Sequence, residues 1–180
     1  MREISLHILD IAQNSVTANA SLVEITVDEN ISADKLTVVI KDNGKGMSEE
    51  LLEKVVDPFT TGRKTRKVGL GIPLIKMAAE VTGGSFSLES ELGVGTTLTA
   101  IFKYSSIDRQ PLGDMAETML GMVTSYEKVD FLYTHKVNDK EFVLDTREIK
   151  KVLGDVSLAV PDVYMWLSEY LKEGEAELLN

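Results

Sequence analysis

Between Ile4 and Ala18 the apolar residues Ile4, Ile8, Ile11 and Ala12, joined by Ser15, share one helical face. Glu3, His7, Asp10, Asn14 and Thr17 recur at intervals of four and three on another, and the pattern predicts an amphipathic helix. SLVEITV (21–27) and LTVVI (36–40) alternate or run with β-branched residues, and the stretch between them holds Asp28, Asn30 and Asp34, so the two read as a strand pair. SEELLEKVV (48–56) predicts a short helix opened by Ser48, with glutamates in its first turn where the helix dipole favours negative charge; it stops before Pro58.

Residues 59–68 read as a loop. Leu70, Leu74, Met77, Ala78 and Val81 then trace a helical stripe, with Pro73 in the first turn, where a missing N–H costs nothing, and Gly83-Gly84 as the stop. SFSLES (85–90) and TTLTAIF (96–102) alternate as strands around a turn containing Gly93 and Gly95. Strands in one sheet with helices on one face predict a two-layer α/β sandwich over residues 1–104. Periodicity lapses in YSSIDRQPLG, which places a boundary near 105–113 and leaves a small C-terminal α+β extension over residues 105–180. In that extension Met115, Met119, Met122 and Val123 mark a helix, with the core as the expected place of the methionines and a protein-docking face as the alternative. VDFLYTHKV and KEFVLD flank Asn138-Asp139 as a hairpin, and REIKKVL is a short helix. Val163, Trp166, Leu167, Tyr170 and Leu171 sit at i, i+3, i+4, i+7 and i+8 of a helix facing the core or a partner.

Composition narrows the chemistry. The 180 residues suffice for a core without staples, and the chain has no cysteine, hence no disulfide, thiolate metal site or cysteine nucleophile. No apolar stretch approaches the roughly 20 residues needed to span a bilayer, and MREISLHILD carries charges where a signal peptide runs apolar, so a cytoplasmic protein is expected. A net charge of −10 opposes binding to nucleic acid or anionic lipid. Against that background Arg63, Lys64, Arg66 and Lys67 place four cations within five positions, suited to a small anion.

Two glycine pairs stand next to charged residues. In IKDNGKGM (40–47) Asp42 closes a strand, and Gly44 and Gly46 let the backbone approach a flat ligand; an adenine amino group is a natural donor to the carboxylate, although Asp-Asn-Gly is also an ordinary turn signal. In KVGLGIP (67–73) Gly69 and Gly71 open a helix whose free N–H groups suit a phosphate, beside the basic loop. The spacing matches neither a P-loop nor a Rossmann turn. Asp10 and Asn14, one turn apart, project side by side: the Asn oxygen with phosphate oxygens suits Mg²⁺, Asp10 could orient or deprotonate a nucleophile, and a solvent-facing stripe is the alternative.

Taken in order, DIAQNSVTANAS, DNGKGM, DPFTTGRKTRKVGLGIP and GVGTT resemble the N, G1, F and G2 boxes and the late Gly-x-Gly-Thr of the GHKL ATPases, a resemblance that spans residues 4–104. It implies a Bergerat fold binding ATP under a mobile lid. Asn14 matches the asparagine that coordinates Mg²⁺, and Asp42 the aspartate that reads the adenine amino group, with Gly44, Gly46 and Met47 completing G1. Phe59, Thr60 and Thr61 resemble the F box; Lys67, Val68, Gly69, Leu70 and Gly71 match the segment at the phosphates; and Thr97 or Thr96 falls where a hydroxyl supports the adenine site. PFTTG, GLGI and the closing strand pair look nearest to the catalytic domain of histidine kinases.

The chain departs from that pattern in three respects. Asp10 stands where many members carry a longer glutamate as general base, and Lys67 stands where many kinases carry a first G2 glycine, which suggests a direct cationic contact to phosphate. With the N box beginning within ten residues of Met1, no phosphoacceptor domain is expected ahead of it, and neither His7, expected in a supporting or solvent role, nor His135, expected on the surface, suits an acceptor. The resemblance therefore implies an ATP–Mg²⁺-dependent kinase, histidine kinase-like or anti-sigma-like, that phosphorylates a separate protein, with Asp10, Asn14 and Lys67 as catalytic groups. The alternative is a nucleotide-dependent binding switch with little or no phosphotransfer. A DNA-linked ATPase motor ranks last, because the acidic charge disfavours it.

Overall fold

The computed structural model describes residues 3–57 and 71–180. Its helices are α1 (Ile4–Thr17), α2 (Glu49–Val55), α3 (Gly71–Glu80), α4 (Met115–Ser125), α5 (Thr146–Leu153) and α6 (Pro161–Glu177). The strands β1 (Leu22–Asn30), β2 (Lys35–Asp42), β3 (Ser85–Glu91), β4 (Gly95–Lys103), β5 (Asp130–Val137) and β6 (Lys140–Asp145) form one sheet in the order β3-β4-β2-β1-β5-β6. All pairs are antiparallel except β1–β5. Alternation fixes which face is buried. Val23, Ile25 and Val27 of β1 lie opposite Asp42, Ile40 and Val38 of β2 and opposite Phe131, Tyr133 and His135 of β5. On the other side of β2, Leu98, Ala100 and Phe102 of β4 continue the same face. Helices cover this face and the other stays open, which is the α+β two-layer arrangement.

The division of the chain near residue 105 is not a break in the sheet, since β5 runs parallel to β1 and is hydrogen-bonded to it from Leu22↔Asp130 to Glu29↔Val137. The connecting segment has a structural task of its own. Glu3, the N-cap of α1, makes no side-chain capping bond, and the helix's free N–H groups of Ile4 and Ser5 donate instead to the carbonyls of Pro111 (2.9 Å) and Leu112 (2.8 Å). Met115, Met119 and Met122 are buried, as their core reading predicts.

Three sequence expectations change. In α3 the buried positions are Gly71, Ile72, Pro73, Ile75 and Ala79, while Leu74, Met77 and the following Val81 face solvent, so the apolar stripe is displaced around the helix from the one the spacing suggests. In α6 only Leu167 and Leu171 of the stripe reach the core, joined by Gly174, and Trp166 and Tyr170 stay out. His135, expected at the surface, is 4% exposed. Its Nε2 meets Glu29 Oε2 at 2.7 Å and its Nδ1 meets Glu175 Oε2 at 2.5 Å, while Tyr133 donates to Glu175 Oε1 at 2.5 Å. This cluster ties β1 and β5 to α6.

Gly174 marks the closest approach of α6 to β6, because a Cβ there would lie 2.2 Å from the Phe142 ring. Gly174→Ala is therefore expected to destabilise the fold by about 1–3 kcal/mol through overpacking, seen as a lowered thermal midpoint with unchanged nucleotide affinity.

Candidate nucleotide site

The site lies where α1 crosses the ends of β2 and β4. Strand phase puts Asp42 on the buried face two residues beyond Ile40, directly opposite Thr96 of β4. Two donors fix its carboxylate: Ser15 Oγ on α1 donates to Oδ2 at 2.6 Å, and the Gly44 N–H donates to Oδ1 at 2.9 Å. The turn after Asp42 is held from three sides. Asn43 Oδ1 accepts from the N–H groups of Ser21 and Leu22, Lys45 N–H donates to the Ala18 carbonyl, and Met47 N–H donates to Ser90 Oγ, which also lies 2.8 Å from Thr96 Oγ1. At Gly46, φ is +70° and a Cβ would lie 2.0 Å from the Glu91 carbonyl oxygen, so both the backbone conformation and the space require glycine.

Above Asp42 opens a cavity of about 220 Å³. Ile11, Ile40, Met47, Ile72, Leu88 and Leu98 supply most of its apolar wall, and Asn14, Ser15, Thr17, Asp42, Lys45 and Thr96 its polar groups. Apolar walls with a few fixed polar atoms suit a flat, mostly apolar ring with a hydrogen-bonding edge. Asn14 Nδ2 is buried and has no hydrogen-bond partner among the described residues, so its amide has capacity left for a ligand. Asp10 lies outside the lining; its carboxylate abuts the start of α3, where a Cβ on Gly71 would come 2.3 Å from Oδ2.

The structure thus brings Asn14, Asp42, Gly46 and Met47 to one cavity, sets Gly44 against Asp42, and sets Asp10 against Gly71. Thr97 is a correction: it pairs with Lys41 on the open face, and Thr96, one residue earlier, is the threonine that lines the cavity. Phe59, Thr60, Thr61, Lys67, Val68, Gly69 and Leu70, with the basic run around them, lie outside the described residues. Ser15, Lys45 and Leu51 also line the cavity without having been singled out as site residues; a serine inside an otherwise apolar stripe was the available signal for the first. His7 is buried rather than in solvent. Nε2 contacts Gln110 Oε1 at 2.9 Å, Nδ1 has no partner among the described residues, and burial holds the ring's pKa below the usual value despite that hydrogen bond.

Residues 2–106 match the family described as histidine kinase-, DNA gyrase B- and HSP90-like ATPase. The chain belongs to this family. Among curated relatives, sporulation kinase D of Bacillus subtilis (strain 168) is 31% identical over 99 residues, 55% of this chain and 19% of that protein. Sensor protein SrrB of Staphylococcus aureus is 38% identical over 102 residues, 54% of this chain and 17% of that protein. The chain therefore spans less than a fifth of these relatives. Among solved structures, the Aquifex aeolicus MutL ATPase domain complexed with ADP superposes with a TM-score of 0.53 at 17% identity, over 84% of this chain and 69% of that one. An N-terminal domain of a DNA repair protein gives a TM-score of 0.56 at 12% identity, over 86% and 58%. Both coverages run past residue 106, so the shared fold takes in part of the C-terminal region as well as the family segment. Among the described residues, no helix of this ATPase-family chain is long and apolar enough to cross a membrane.

The tie between Ser15 and Asp42 carries a prediction. Ser15→Ala removes one of two donors that orient the carboxylate and is expected to weaken ATP binding by about 1 kcal/mol, roughly fivefold, measurable by calorimetry. An unchanged Kd would mean that the Gly44 N–H alone sets the orientation.

Proposed function

We propose that the chain binds ATP with Mg²⁺ in this cavity and transfers the γ-phosphoryl group to a side chain of a separate protein. The supporting observation is the cavity itself: Asn14 and Asp42 line it together, with Asp42 held by Ser15 and Gly44 opposite Thr96. Asp42 accepts the adenine amino hydrogen while Ile40, Met47, Ile72 and Leu98 enclose the ring. The Asn14 side-chain oxygen would be the group that holds Mg²⁺, which would supply charge neutralisation at the phosphates, and the buried Asn14 NH₂, without a partner among the described residues, would donate to a ligand oxygen. Gly71 and the preceding Lys67, Val68, Gly69 and Leu70 bind phosphate through backbone N–H groups and the lysine cation. Asp10, beside Gly71, accepts the proton of the attacking group as the bond to the β-phosphate oxygen breaks. Phe59, Thr60 and Thr61 contribute to nucleotide binding in this proposal, and the protein works in the cytoplasm.

Relatives named as a kinase and a sensor protein support a signalling role. Incubation with γ-labelled ATP and candidate partners tests it: label on a protein that depends on Asn14 supports transfer. Tight ATP binding with no labelled target would instead make the chain a nucleotide-dependent binding switch. Asn14→Ala and Lys67→Ala are each expected to weaken ATP–Mg²⁺ about tenfold or more while leaving AMP nearly unchanged, because both groups act at the phosphates. Equal losses for ATP and AMP would remove them from that role.

A further inference from the structure

Helix α6 buries Leu167, Leu171 and Gly174 and leaves its outer side unpartnered among the described residues. Trp166 (49% exposed), Tyr170 (37%) and Met165 (62%) stand there. The aromatic pair is rigid: Trp166 stacks on Tyr170 at 5.3 Å, Tyr170 packs on Phe142 at 5.3 Å and donates to the Val143 carbonyl, and Phe142 meets the buried Tyr133 edge-on. Side chains that stay exposed and are held in place pay little entropy on contact, the property of interface anchors.

Charge indicates what covers them. At 100° per residue, Asp162, Glu169 and Glu173 form one line opposite the buried leucines, with Met165 on one side and Trp166 and Tyr170 on the other. All three acids are exposed and have no ion-pair partner among the described residues. Within α6, Asp162, Glu169, Glu173 and Glu177 outnumber the helix's one lysine, Lys172, while Glu175 is taken up by His135. The lysines of α5 are already engaged, Lys150 with Asp130 and Lys151 with Glu148. A second copy would set acid against acid, and an anionic membrane would be repelled.

We infer that this face of α6 docks a basic amphipathic helix of a partner protein, with its Lys or Arg side chains over the acidic line and its apolar side chains against Trp166, Tyr170 and Met165. The surface works without nucleotide and does not depend on phosphotransfer.

Trp166 is the sole tryptophan of the chain and reports the contact directly. The full chain is titrated with a Leu/Lys amphipathic helical peptide of about five turns, and in parallel with its Leu/Glu counterpart. Saturable blue-shifted emission is expected with the first peptide and none with the second. Met165→Ser, and separately Glu169→Lys with Glu173→Lys, should each weaken binding about tenfold or more. Asp108→Lys with Glu89→Lys changes net charge by the same amount at exposed positions outside α6, Glu89 lying on β3 at the opposite edge of the sheet from β6, and should have little effect. Equal weakening by this control pair would reduce the attraction to overall charge and overturn the inference. So would binding of the Leu/Glu peptide, a blue shift on lipid vesicles, or a dimer of the free protein that Met165→Ser dissolves.

Discussion

Asp42→Ala is expected to weaken ATP binding by about 3 kcal/mol, a hundredfold or more in Kd, the largest effect of any single change in the cavity. The carboxylate supplies a charge-assisted acceptor in an apolar surround, where such bonds contribute about 1.5–3 kcal/mol. Its loss also removes the acceptor of the Gly44 N–H and leaves the Ser15 hydroxyl only the longer contact to the Ile11 carbonyl, while the Asn43, Lys45 and Met47 bonds still hold the turn. Asp42→Asn retains the shape but turns half of the acceptor into an NH₂ group, and should fall most of the way with Ala. Thr97→Ala is the matched control: it lies on the open face and should bind as wild type, whereas Thr96→Ala should not. Calorimetric titration of the four variants decides. A wild-type Kd for Asp42→Ala would remove the cavity from nucleotide binding and take the proposed kinase with it.

The threonine pair shows how far the sequence carries. That β4 exists is legible from alternation, and its phase was legible too, since Leu98, Ala100 and Phe102 share a face with Thr96. The motif located the neighbourhood and the pleat chose the residue. Elsewhere the local pattern holds two answers. GIPLIKMAAEV is apolar nearly all round, so one stripe is as good as another until α1 and β4 supply something to bury against, and they take Ile72, Ile75 and Ala79. In α6 one run of spacing served two masters, leucines for the core and aromatics for the surface, because Gly174 lets the helix settle on Phe142 on only one side. Asp42, Asn14 and the two glycines of the turn could be read because the site draws them from short continuous segments. His135 could not, as its partners stand 106 and 40 residues away and no local pattern joins them.

That histidine gives the strongest dependence on pH. Burial by itself lowers its pKa, yet hydrogen bonds to Glu175 and Glu29 and the fields of both carboxylates outweigh it and raise the pKa from 6.5 to about 9. The folded state holds the proton more tightly than the unfolded chain, so the stabilisation is complete below pH 6.5 and is lost as pH rises through about 9. A gap of that size corresponds to about 3 kcal/mol. Burial and the neighbouring Glu175 push the Tyr133 phenol upward, so it remains a donor throughout this window and leaves the imidazole as the switching group. Urea midpoints followed by Trp166 emission should therefore fall markedly between pH 6.5 and 9.5 in the wild type. His135→Gln should start lower by about 3–5 kcal/mol, because Glu29 and Glu175 then face each other across a buried gap without a cation. Over the same interval the variant should change far less, since every other titrating group is common to both proteins and only the imidazole has gone. Parallel pH curves for the two proteins would place the transition on some other group and leave His135 as packing between β1, β5 and α6.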